Sequence, residues 1–483
     1  MRVALVNPPF LPGYSRGQRS PAVTRSGTLY YPIWLAYAAG ALEQAGHQVD
    51  LVDAPAMELD SEGCLNRLSG FDADLAVVET STPSIESDVA FADRLAGFVG
   101  TVLLVGTHPS ALPEETLLSG RRFGGVVVGE YEMPLLGACA ALKEGRALRE
   151  VPGLCLRDGE QALLTGKGQR VEELDALPWV SEIYARFLPL ERYNNPNALH
   201  PQVMVMGGRG CPFGCSFCVF PQTLTGSRFR FRSVEDVVGE MLWVQENLPQ
   251  VRAIFFEDDT ISVDRRRLRA LAAEMRRRGV RISWTANMRA DVDYETLRLC
   301  RQAGLRTVCV GFESGSAKLL RNMGKGITTD QMRKFARDAR RAGVLFHGCF
   351  MVGIRGETRE TMEQTLSLAL ELDPDTAQFY PLMVYPGTRA YEEAENDGNL
   401  MPSTWREWLG PQGLHSCVVR TDELSAEELV AFCDYARRRF YLRPRYVLRK
   451  LLASLRDPDE RHRTMKAFGT FWRYLLSRGR GRG

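Results

Sequence analysis

The sequence lacks an apolar run that is long enough to span a bilayer. The stretch 29–42 is short and contains Pro32, whereas a spanning helix needs about 20 apolar residues. Residues 1–7 are typical of a β-strand and lack the form of a signal peptide. We therefore expect a cytoplasmic protein in which the eleven cysteines remain mostly thiols.

The chain also lacks a strong overall charge, because 61 Lys and Arg are balanced by 59 Asp and Glu. Its 483 residues suit roughly two to four domains. Charge is nevertheless uneven: residues 437–483 carry 15 basic and 3 acidic side chains, a net +12, which leaves −10 on the rest of the chain. No basic surface interleaved with aromatic residues is visible, so we expect no nucleic-acid partner.

Residues 1–150 alternate short apolar runs with helical patterns. Continuous apolar runs are typical of parallel strands that are covered on both faces. The predicted strands are 3–6, 49–52, 75–78, 102–105 and 126–128, and predicted helices begin at Pro32, after Ser84 and at Glu132. Five βα units predict a doubly wound, Rossmann-like domain in an α/β protein.

The remaining chain divides into three parts. Residues 151–198 are rich in turn signals and are predicted to form a connector with a small hairpin. Residues 199–400 resume the βα alternation, with predicted strands at 203–206, 253–256, 282–285, 308–312, 345–351 and 377–382. Six units predict a partial (β/α)6 barrel of the TIM type rather than a closed eight-stranded one. Residues 401–483 are predicted to form a mostly helical, basic region.

Three cysteines, Cys211, Cys215 and Cys218, are spaced C-x3-C-x2-C without a fourth Cys or His nearby. Electron-carrying clusters normally have four thiolate ligands, and structural zinc also needs four ligands. The triplet therefore favours a 4Fe–4S cluster with one open iron, although a zinc site with distant ligands is the alternative. The run resembles the signature of radical S-adenosylmethionine (SAM) enzymes, and Phe217 supplies the aromatic residue that this family has before the third cysteine.

Unusual polar residues and glycines follow every predicted barrel strand. Catalytic groups of barrel proteins lie at the carboxyl ends of strands. The resemblance implies SAM at this rim, where carboxylates would accept hydrogen bonds from its ribose diol or ammonium group. The candidate SAM-binding residues are Phe217, Glu257, Asp258, Asn287, Arg289, Glu313, Ser314 and Gly353.

The loops after the strands of the first domain resemble those of cobalamin-binding domains in cobalamin-dependent radical SAM enzymes. Ligands of open α/β sheets bind outside the carboxyl ends of the strands. The candidate cobalamin-binding residues are Asn7, Thr80, Ser81, Thr82, Ser84, Gly106, His108, Gly129 and Glu130. The chain lacks the Asp-x-His-x-x-Gly motif of other cobalamin domains, since Gly106 and Ala111 stand where Asp and Gly are needed around His108. We therefore expect no histidine ligand on cobalt.

The resemblance implies a methyltransferase that uses a 4Fe–4S cluster, SAM and cobalamin. A radical derived from SAM would remove hydrogen from an unactivated carbon of a small-molecule substrate, which would then take a methyl group from cobalamin. A one-electron reductant such as flavodoxin or ferredoxin would supply an electron to the cluster. The same cofactors also serve cyclisation, ring contraction or oxygen insertion without net methyl transfer, and this alternative stays open.

The carboxyl-terminal region contains one amphipathic basic pattern. Val447, Leu448, Leu451, Leu452 and Leu455 lie on one helical stripe, among Arg443, Arg445, Arg449, Lys450 and Arg456. Such a helix either packs on the barrel or rests on an anionic membrane. The membrane alternative would make a lipid or isoprenoid substrate plausible.

Overall fold

The computed structural model describes residues 1–456, 459–461, 464–465 and 469. The Arg-Gly repeat at the end of the sequence, and with it most of the predicted basic region after residue 461, lies outside the described residues. Over the part of the chain that is described, no helix is both long enough and apolar enough to cross a membrane.

A seven-stranded sheet forms the first layer of the fold. Its strands are β1 Arg2–Asn7, β2 Gln48–Asp53, β3 Leu75–Thr80, β4 Thr101–Gly106, β5 Gly125–Val127, β6 Leu154–Asp158 and β7 Gln161–Leu164. The order is β2-β1-β3-β4-β5-β6-β7; β1 to β5 are parallel, whereas β6 and β7 add an antiparallel hairpin. The predicted hairpin of the connector thus extends the first sheet, and the boundary at residue 150 stays a prediction.

The helices of this half are α1 Ile33–Gln44, α2 Ala54–Met57, α3 Ser61–Phe71, α4 Ile85–Leu95, α5 Thr107–Ala111, α6 Pro113–Ser119 and α7 Glu132–Glu144, followed in the connector by α8 Val180–Phe187. Three of them, α1, α4 and α7, begin where the sequence predicts a helix, and the others were not predicted. Pro32 precedes α1 directly, and α1 is buried from Ile33 to Leu42. The apolar stretch that is too short for a membrane is therefore a core helix.

The second half contains six parallel strands and one small hairpin. The strands are β8 Gln202–Val205, β9 Gly208–Arg209, β10 Arg230–Phe231, β11 Ala253–Phe256, β12 Ser283–Met288, β13 Leu305–Glu313, β14 Leu345–Val352 and β15 Thr376–Pro381. The order β8-β11-β12-β13-β14-β15 follows the chain, and every neighbouring pair is parallel. The sheet is open between β8 and β15, as the partial barrel predicts, and β9 and β10 form a separate two-stranded sheet.

Helices alternate with these strands and continue beyond them. They are α9 Val219–Thr223, α10 Val234–Asn247, α11 Arg265–Arg277, α12 Tyr294–Gln302, α13 Ala317–Asn322, α14 Thr329–Ala342, α15 Arg359–Leu372, α16 Arg389–Asn396, α17 Ala426–Tyr441 and α18 Pro444–Arg456. Capping boxes begin α14, α15 and α17, each with a Ser or Thr whose side chain accepts the third backbone N–H of the helix.

One apolar core joins the two halves. A single cluster of buried residues includes the first sheet, α1, the connector and the barrel strands. Tyr31 stacks between Tyr184 and Tyr193, with ring centroids 4.2 and 3.8 Å away. The Trp34 ring of α1 packs edge-to-face against the Phe220 ring of the barrel half, with the ring centroids 6.0 Å apart. The carboxyl ends of the two sheets are therefore held at fixed positions relative to each other.

Candidate active site

The cysteine triplet lies on a loop that leaves the barrel after β9 and returns before β10. Cys211 is buried, and Cys215 and Cys218 are half-buried thiols. The loop is closed at its base, where the Cys211 N–H donates to the Gly226 carbonyl at 3.1 Å. The Gln222 amide donates to the Ser216 and Cys218 carbonyls at 3.1 and 2.8 Å. These bonds shape the loop without using a thiol.

The chemistry of this loop fits an iron–sulfur cluster. Burial, together with neighbouring carboxylates and thiols, raises the pKa of Cys211 and of Cys218, so bound metal is needed to hold them as thiolates. Within the described ranges, no three His, Cys, Asp or Glu side chains converge on one ion. Each thiolate of a 4Fe–4S cluster binds a different iron, so the ligands need not converge, whereas zinc requires four that do.

Glu313 and Lys325 form a buried ion pair beside this loop. Lys325 Nζ donates to Glu313 Oε1 at 2.7 Å, and the two side chains are 10% and 5% exposed. Although burial opposes its charge, Glu313 and Cys215 raise the pKa of Lys325. The ammonium group also lies 5.9 Å from the centre of the Phe217 ring. The structure thus brings two predicted SAM residues, Phe217 and Glu313, together at Lys325, close to Cys215.

The pair depends on the local backbone of β13. Glu313 has a φ of 66°, in the left-handed region that non-glycine residues rarely adopt. A Cβ on Gly311 would lie 2.0 Å from Glu313 Oε1 and 2.8 Å from Lys325 Nζ. Glycine at 311 therefore leaves the space that the ion pair fills. Ser314 follows directly, and its hydroxyl lies 3.1 Å from that of Thr365.

Glu257, Asp258 and Asn287 lie around Arg19, which comes from the first half of the chain and is close to Cys218. Arg19 Nη1 forms a short ion pair with Glu257, and its Nη2 donates to the Glu257 and Asp258 carbonyls at 3.0 and 3.1 Å. The Asn287 amide donates to the Asp258 carbonyl at 3.2 Å. Burial raises the pKa of Glu257 to about 7 even though Arg19 opposes the shift.

Arg289 and Gly353 complete the predicted rim. The Arg289 guanidinium lies 3.6 Å from the centre of the Phe213 ring and donates to the Lys325 carbonyl at 3.0 Å. Gly353 follows β14, and its N–H donates to Glu357 Oε2 at 3.2 Å. Gly353 also lines a groove with Phe217, Met323 and Leu382.

The first sheet presents a second polar edge at the position where its strand order reverses. The order β2-β1-β3-β4-β5 places this switch between β1 and β3, which is where open sheets of this order bind cofactors. Asn7 ends β1. Its side-chain Nδ2 donates to Asp53 at 2.8 Å, and its side-chain Oδ1 accepts from Arg16 at 2.8 Å. Ser81 follows β3, with its hydroxyl 2.8 Å from the Tyr14 hydroxyl.

The serines of this edge belong to a closed network. The Ser84 hydroxyl lies 2.7 Å from that of Ser81 and donates to Asp88 at 2.5 Å. Arg16 pairs with Asp88 at 2.5 Å, and neither side chain is exposed. The side chains of Asn7, Ser81 and Ser84 thus have protein partners, and their role in binding cobalamin stays a prediction.

The other predicted residues of this edge lie after β3, β4 and β5. The Thr80 hydroxyl donates to the Val105 carbonyl at 2.9 Å, and a Cβ on Gly106 would lie 2.4 Å from the Thr80 carbonyl oxygen. His108 is buried, with Nδ1 3.2 Å from the Thr82 hydroxyl. Burial lowers the pKa of His108 to about 3, so the ring is neutral.

Gly129 and Glu130 follow β5. The Gly129 N–H donates to the Ser110 hydroxyl at 3.0 Å. Glu130 is buried and accepts from Arg209 and Arg230 of the β9–β10 hairpin. Its carboxylate thus faces the barrel, in contact with the base of the cysteine loop.

Residues 8–32, which we call the interdomain strap, were missed as site residues by sequence reasoning. The strap carries Tyr14 and Arg16 on the edge of the first sheet and Arg19 on the edge of the second. Its Ser20 hydroxyl also lies 2.9 Å from that of Tyr385, after β15. No periodicity marks these contacts, because the partners of Arg19 are more than two hundred residues away in the chain.

Comparison with known proteins identifies a family for each half of the chain. The radical SAM superfamily model matches residues 205–369, and the B12-binding domain model matches residues 19–138. An uncharacterised methyltransferase of Pyrococcus horikoshii is 30% identical over 458 residues, covering 93% of this chain and 95% of the relative. The anaerobic magnesium-protoporphyrin IX monomethyl ester cyclase of Cereibacter sphaeroides is 26% identical, and the alignment covers 85% of this chain and 67% of the cyclase.

A solved structure has the same fold. The radical SAM methyltransferase TsrM from Kitasatospora setae, with cobalamin and a 4Fe–4S cluster bound, aligns with a TM-score of 0.69 at 20% identity and covers 90% of each chain. The two family models, arranged in this order along one chain, define a cobalamin-dependent radical SAM enzyme.

With a methyltransferase 30% identical along nearly its whole length, this chain belongs to the cobalamin-dependent radical SAM methyltransferases. Its cofactors are a 4Fe–4S cluster, SAM and cobalamin. The resemblance stated from the sequence is confirmed at the level of family, fold class and cofactors, whereas the individual site residues stay predictions.

Proposed function

We propose that this methyltransferase acts on an unactivated carbon of a small-molecule substrate, between the carboxyl edges of its two sheets. The observation that carries the proposal is the strap, whose Arg16 and Arg19 join the switch point of the first sheet to the barrel rim beside Cys218. When bound, SAM and the cluster supply a hydrogen-abstracting radical, and cobalamin supplies the methyl group. The protein's own part is to hold these groups at one gap.

The barrel side of the gap has the role of holding the cluster and SAM. We assign the three thiolates to the cluster, and Phe217, Glu257, Asp258, Asn287, Arg289, Glu313, Ser314 and Gly353 to the SAM side. The Glu313–Lys325 pair is close to Cys215, and the Glu257–Arg19 pair is close to Cys218. These charges orient a zwitterionic ligand, because ion pairs are stronger where water is excluded.

Anaerobic reconstitution with iron, sulfide and cobalamin, followed by reduction and addition of SAM, tests the reaction without a known substrate. We expect S-adenosylhomocysteine together with methylcobalamin, seen by chromatography and by the visible spectrum. Cobalamin that binds but never takes a methyl group from SAM would contradict methyl transfer and favour cyclisation, ring contraction or oxygen insertion.

Cys211→Ala tests the cluster assignment. We expect loss of the brown colour, of the EPR signal of the reduced cluster and of SAM cleavage to 5′-deoxyadenosine, because one iron loses its ligand. Cys300→Ala is the matched control, since Cys300 is also a buried barrel thiol but lies on α12. Equal iron content in both variants would overturn the assignment. We further propose that a flavodoxin or ferredoxin reduces the cluster.

We also propose that α18 gives this protein a peripheral contact with anionic membranes. One side of the helix is anchored: the Tyr446 hydroxyl donates to the Asp375 carbonyl at 2.9 Å, and Arg449 pairs with Asp373 at 2.5 Å. The other side exposes Val447, Leu448, Leu451, Leu452 and Leu455, the last by 83%. Leucines beside a strongly basic segment are typical of helices that lie on lipid, and a lipid-like substrate would agree with this position.

Vesicle flotation tests the membrane contact. We expect the full chain to float with phosphatidylglycerol vesicles but not with phosphatidylcholine vesicles, and Leu451→Glu/Leu455→Glu to stay at the bottom. Phe98→Glu is the control, because Phe98 is an exposed apolar residue, 45% accessible, far from α18 in the chain. Equal flotation of the wild type and the Leu451→Glu/Leu455→Glu variant would end the proposal.

A further inference from the structure

Four buried charged side chains cross from the first sheet to the barrel. Glu130 follows β5 and Glu132 begins α7, whereas Arg209 and Arg230 lie on β9 and β10. All four side chains are at most 3% exposed. We call these residues the interdomain ion quartet.

The quartet balances two positive charges with two negative ones. Arg209 donates to Glu130 at 3.4 Å and to Glu132 at 2.7 Å. Arg230 donates to Glu130 Oε2 at 3.1 Å and forms a second, shorter bond with Oε1. Glu130 is thus shared by both guanidinium groups. Arg209 also lies over the rings of Trp34 and Tyr37 of α1, 4.8 and 4.6 Å from their centres.

The hairpin by itself is a poor arrangement of charges. Arg209 and Arg230 are direct partners in the two-residue ladder of β9 and β10. Like charges that lie directly opposite each other in an antiparallel pair are destabilising, and buried charges without partners are costly. The carboxylates of the first half therefore complete a hairpin that belongs to the second half.

This hairpin is the base of the cysteine loop. Arg209 is separated from Cys211 by one residue, so the quartet holds the beginning of the loop. Arg230 also donates to the Thr225 carbonyl at 3.2 Å, so it holds the end of the loop. The bond from the Cys211 N–H to the Gly226 carbonyl joins the two ends. Both ends of the loop are therefore attached to Glu130.

We propose that the interdomain ion quartet positions the cysteine loop relative to the ligand edge of the first sheet, and so sets the distance between the iron–sulfur cluster and cobalamin. The inference rests on the proposed function, because it requires that the cluster and cobalamin bind at the two sides of one gap. Glu130 and Arg209 are positioning residues that act through the loop, which is a role distinct from the cobalamin contact predicted for Glu130.

Pulsed EPR on the reconstituted full chain tests this inference without turnover. The dipolar coupling between the reduced cluster and cob(II)alamin is inversely proportional to the cube of their separation, so it reports the spread of distances. Glu130→Gln removes the charge that the two arginines share, and we expect a broader distance distribution than in the wild type at equal cofactor content. We also expect methylation of cobalamin by SAM to slow about tenfold, since misplacement by an ångström has effects of this order or more.

Two further variants keep the test decisive. Glu130→Asp retains the charge but shortens its reach, so it folds more readily and should shift the mean distance. Glu240→Gln is the matched control, because Glu240 accepts from Arg232 in an equally buried pair outside the cysteine loop. Glu240 also accepts from Ser181 of α8, and the side-chain oxygen of Gln retains that acceptor. We expect a wild-type distribution. Identical distributions in wild type, Glu130→Gln and Glu130→Asp would overturn the inference. A wild type without any cobalamin signal would instead overturn the proposed function.

Discussion

At the residue scale, the Glu313–Lys325 pair shows how strongly the site depends on charge balance. Both side chains are nearly inaccessible, so removing one partner leaves the other buried and uncompensated. We expect Lys325→Met to lower the free energy of unfolding by about 3 kcal/mol, measured by urea denaturation. The double variant Lys325→Met/Glu313→Gln should recover part of this loss, because no uncompensated charge remains. A double variant that is less stable than Lys325→Met would contradict this account.

A second residue-scale prediction concerns Glu79, at the penultimate position of β3. Burial raises the pKa of Glu79 from its ordinary value of 4.5 to about 8. The folded state therefore binds this proton more tightly, and the stability that it contributes is lost as the pH rises from 4.5 through about 8. The free energy of unfolding of Glu79→Gln, relative to that of the wild type, should therefore increase by on the order of 3 kcal/mol between about pH 5 and about pH 9.

Denaturation midpoints at both pH values measure this gain. Glu86→Gln is the control, because Glu86 is exposed on α4 and water hydrates its carboxylate in both states. The same pH profile in wild type and Glu79→Gln would show that another group carries the dependence.

Individual residues also show what the sequence does and does not reveal. The spacing of Cys211, Cys215 and Cys218 marks the loop by itself, because ligands of one cluster are close in the chain. Arg228, Arg230 and Arg232 alternate and suggest one side of an extended segment, yet Arg230 and Arg232 are buried in ion pairs while Arg228 pairs with Glu172 at the surface. Pairs such as Glu130 with Arg230 are formed by folding, so no local pattern predicts them.

At the element scale, the interdomain strap contacts the carboxyl edges of both sheets. Arg19 contributes to the barrel rim although the chain places it between β1 and α1. We expect a coupling free energy of about 2 kcal/mol in the double-mutant cycle of Arg19→Met and Glu257→Gln, since the pair is largely removed from water.

Urea denaturation of the four proteins in the cycle measures this coupling. The exposed pair Arg298–Glu295 on α12 is the control, where water and salt screen the charges and no measurable coupling is expected. Additive effects of Arg19→Met and Glu257→Gln would mean that the strap does not hold Glu257.

Regular elements were the part of the fold that the sequence predicted best. The apolar runs at 3–6 and 253–256 became β1 and β11, and Glu132–Glu144 is α7. The strand predicted at 282–285 instead continues to Met288, because Asn287 and Met288 pair with β13 even though an Asn is unusual in a strand. The strap has no regular repeat of hydrogen bonds and so left no periodic signal.

At the scale of the whole molecule, the shared core makes the two sheets one cooperative unit. Tyr31, Trp34 and Phe220 connect the layers within a single buried cluster. We therefore expect hydrogen exchange, followed by mass spectrometry in denaturant, to open peptides of β3 and β13 at the same denaturant concentration. A peptide from the partly exposed β7 should open earlier. Separate transitions for β3 and β13 would contradict a common core.

The pairing of Arg209 with Arg230 has a consequence for biosynthesis. A ribosome delivers Glu130 and Glu132 well before the arginine hairpin, and domains of long chains generally fold from the amino terminus. Glu130 and Glu132 are then already present when Arg209 and Arg230 are synthesised, and the two guanidinium groups bind to these carboxylates as the hairpin forms. A circular permutant that begins at residue 199 would present the hairpin first. The yield of folded permutant from translation, compared with its yield on refolding of the finished chain, would show how far the order of synthesis affects the formation of the cysteine loop.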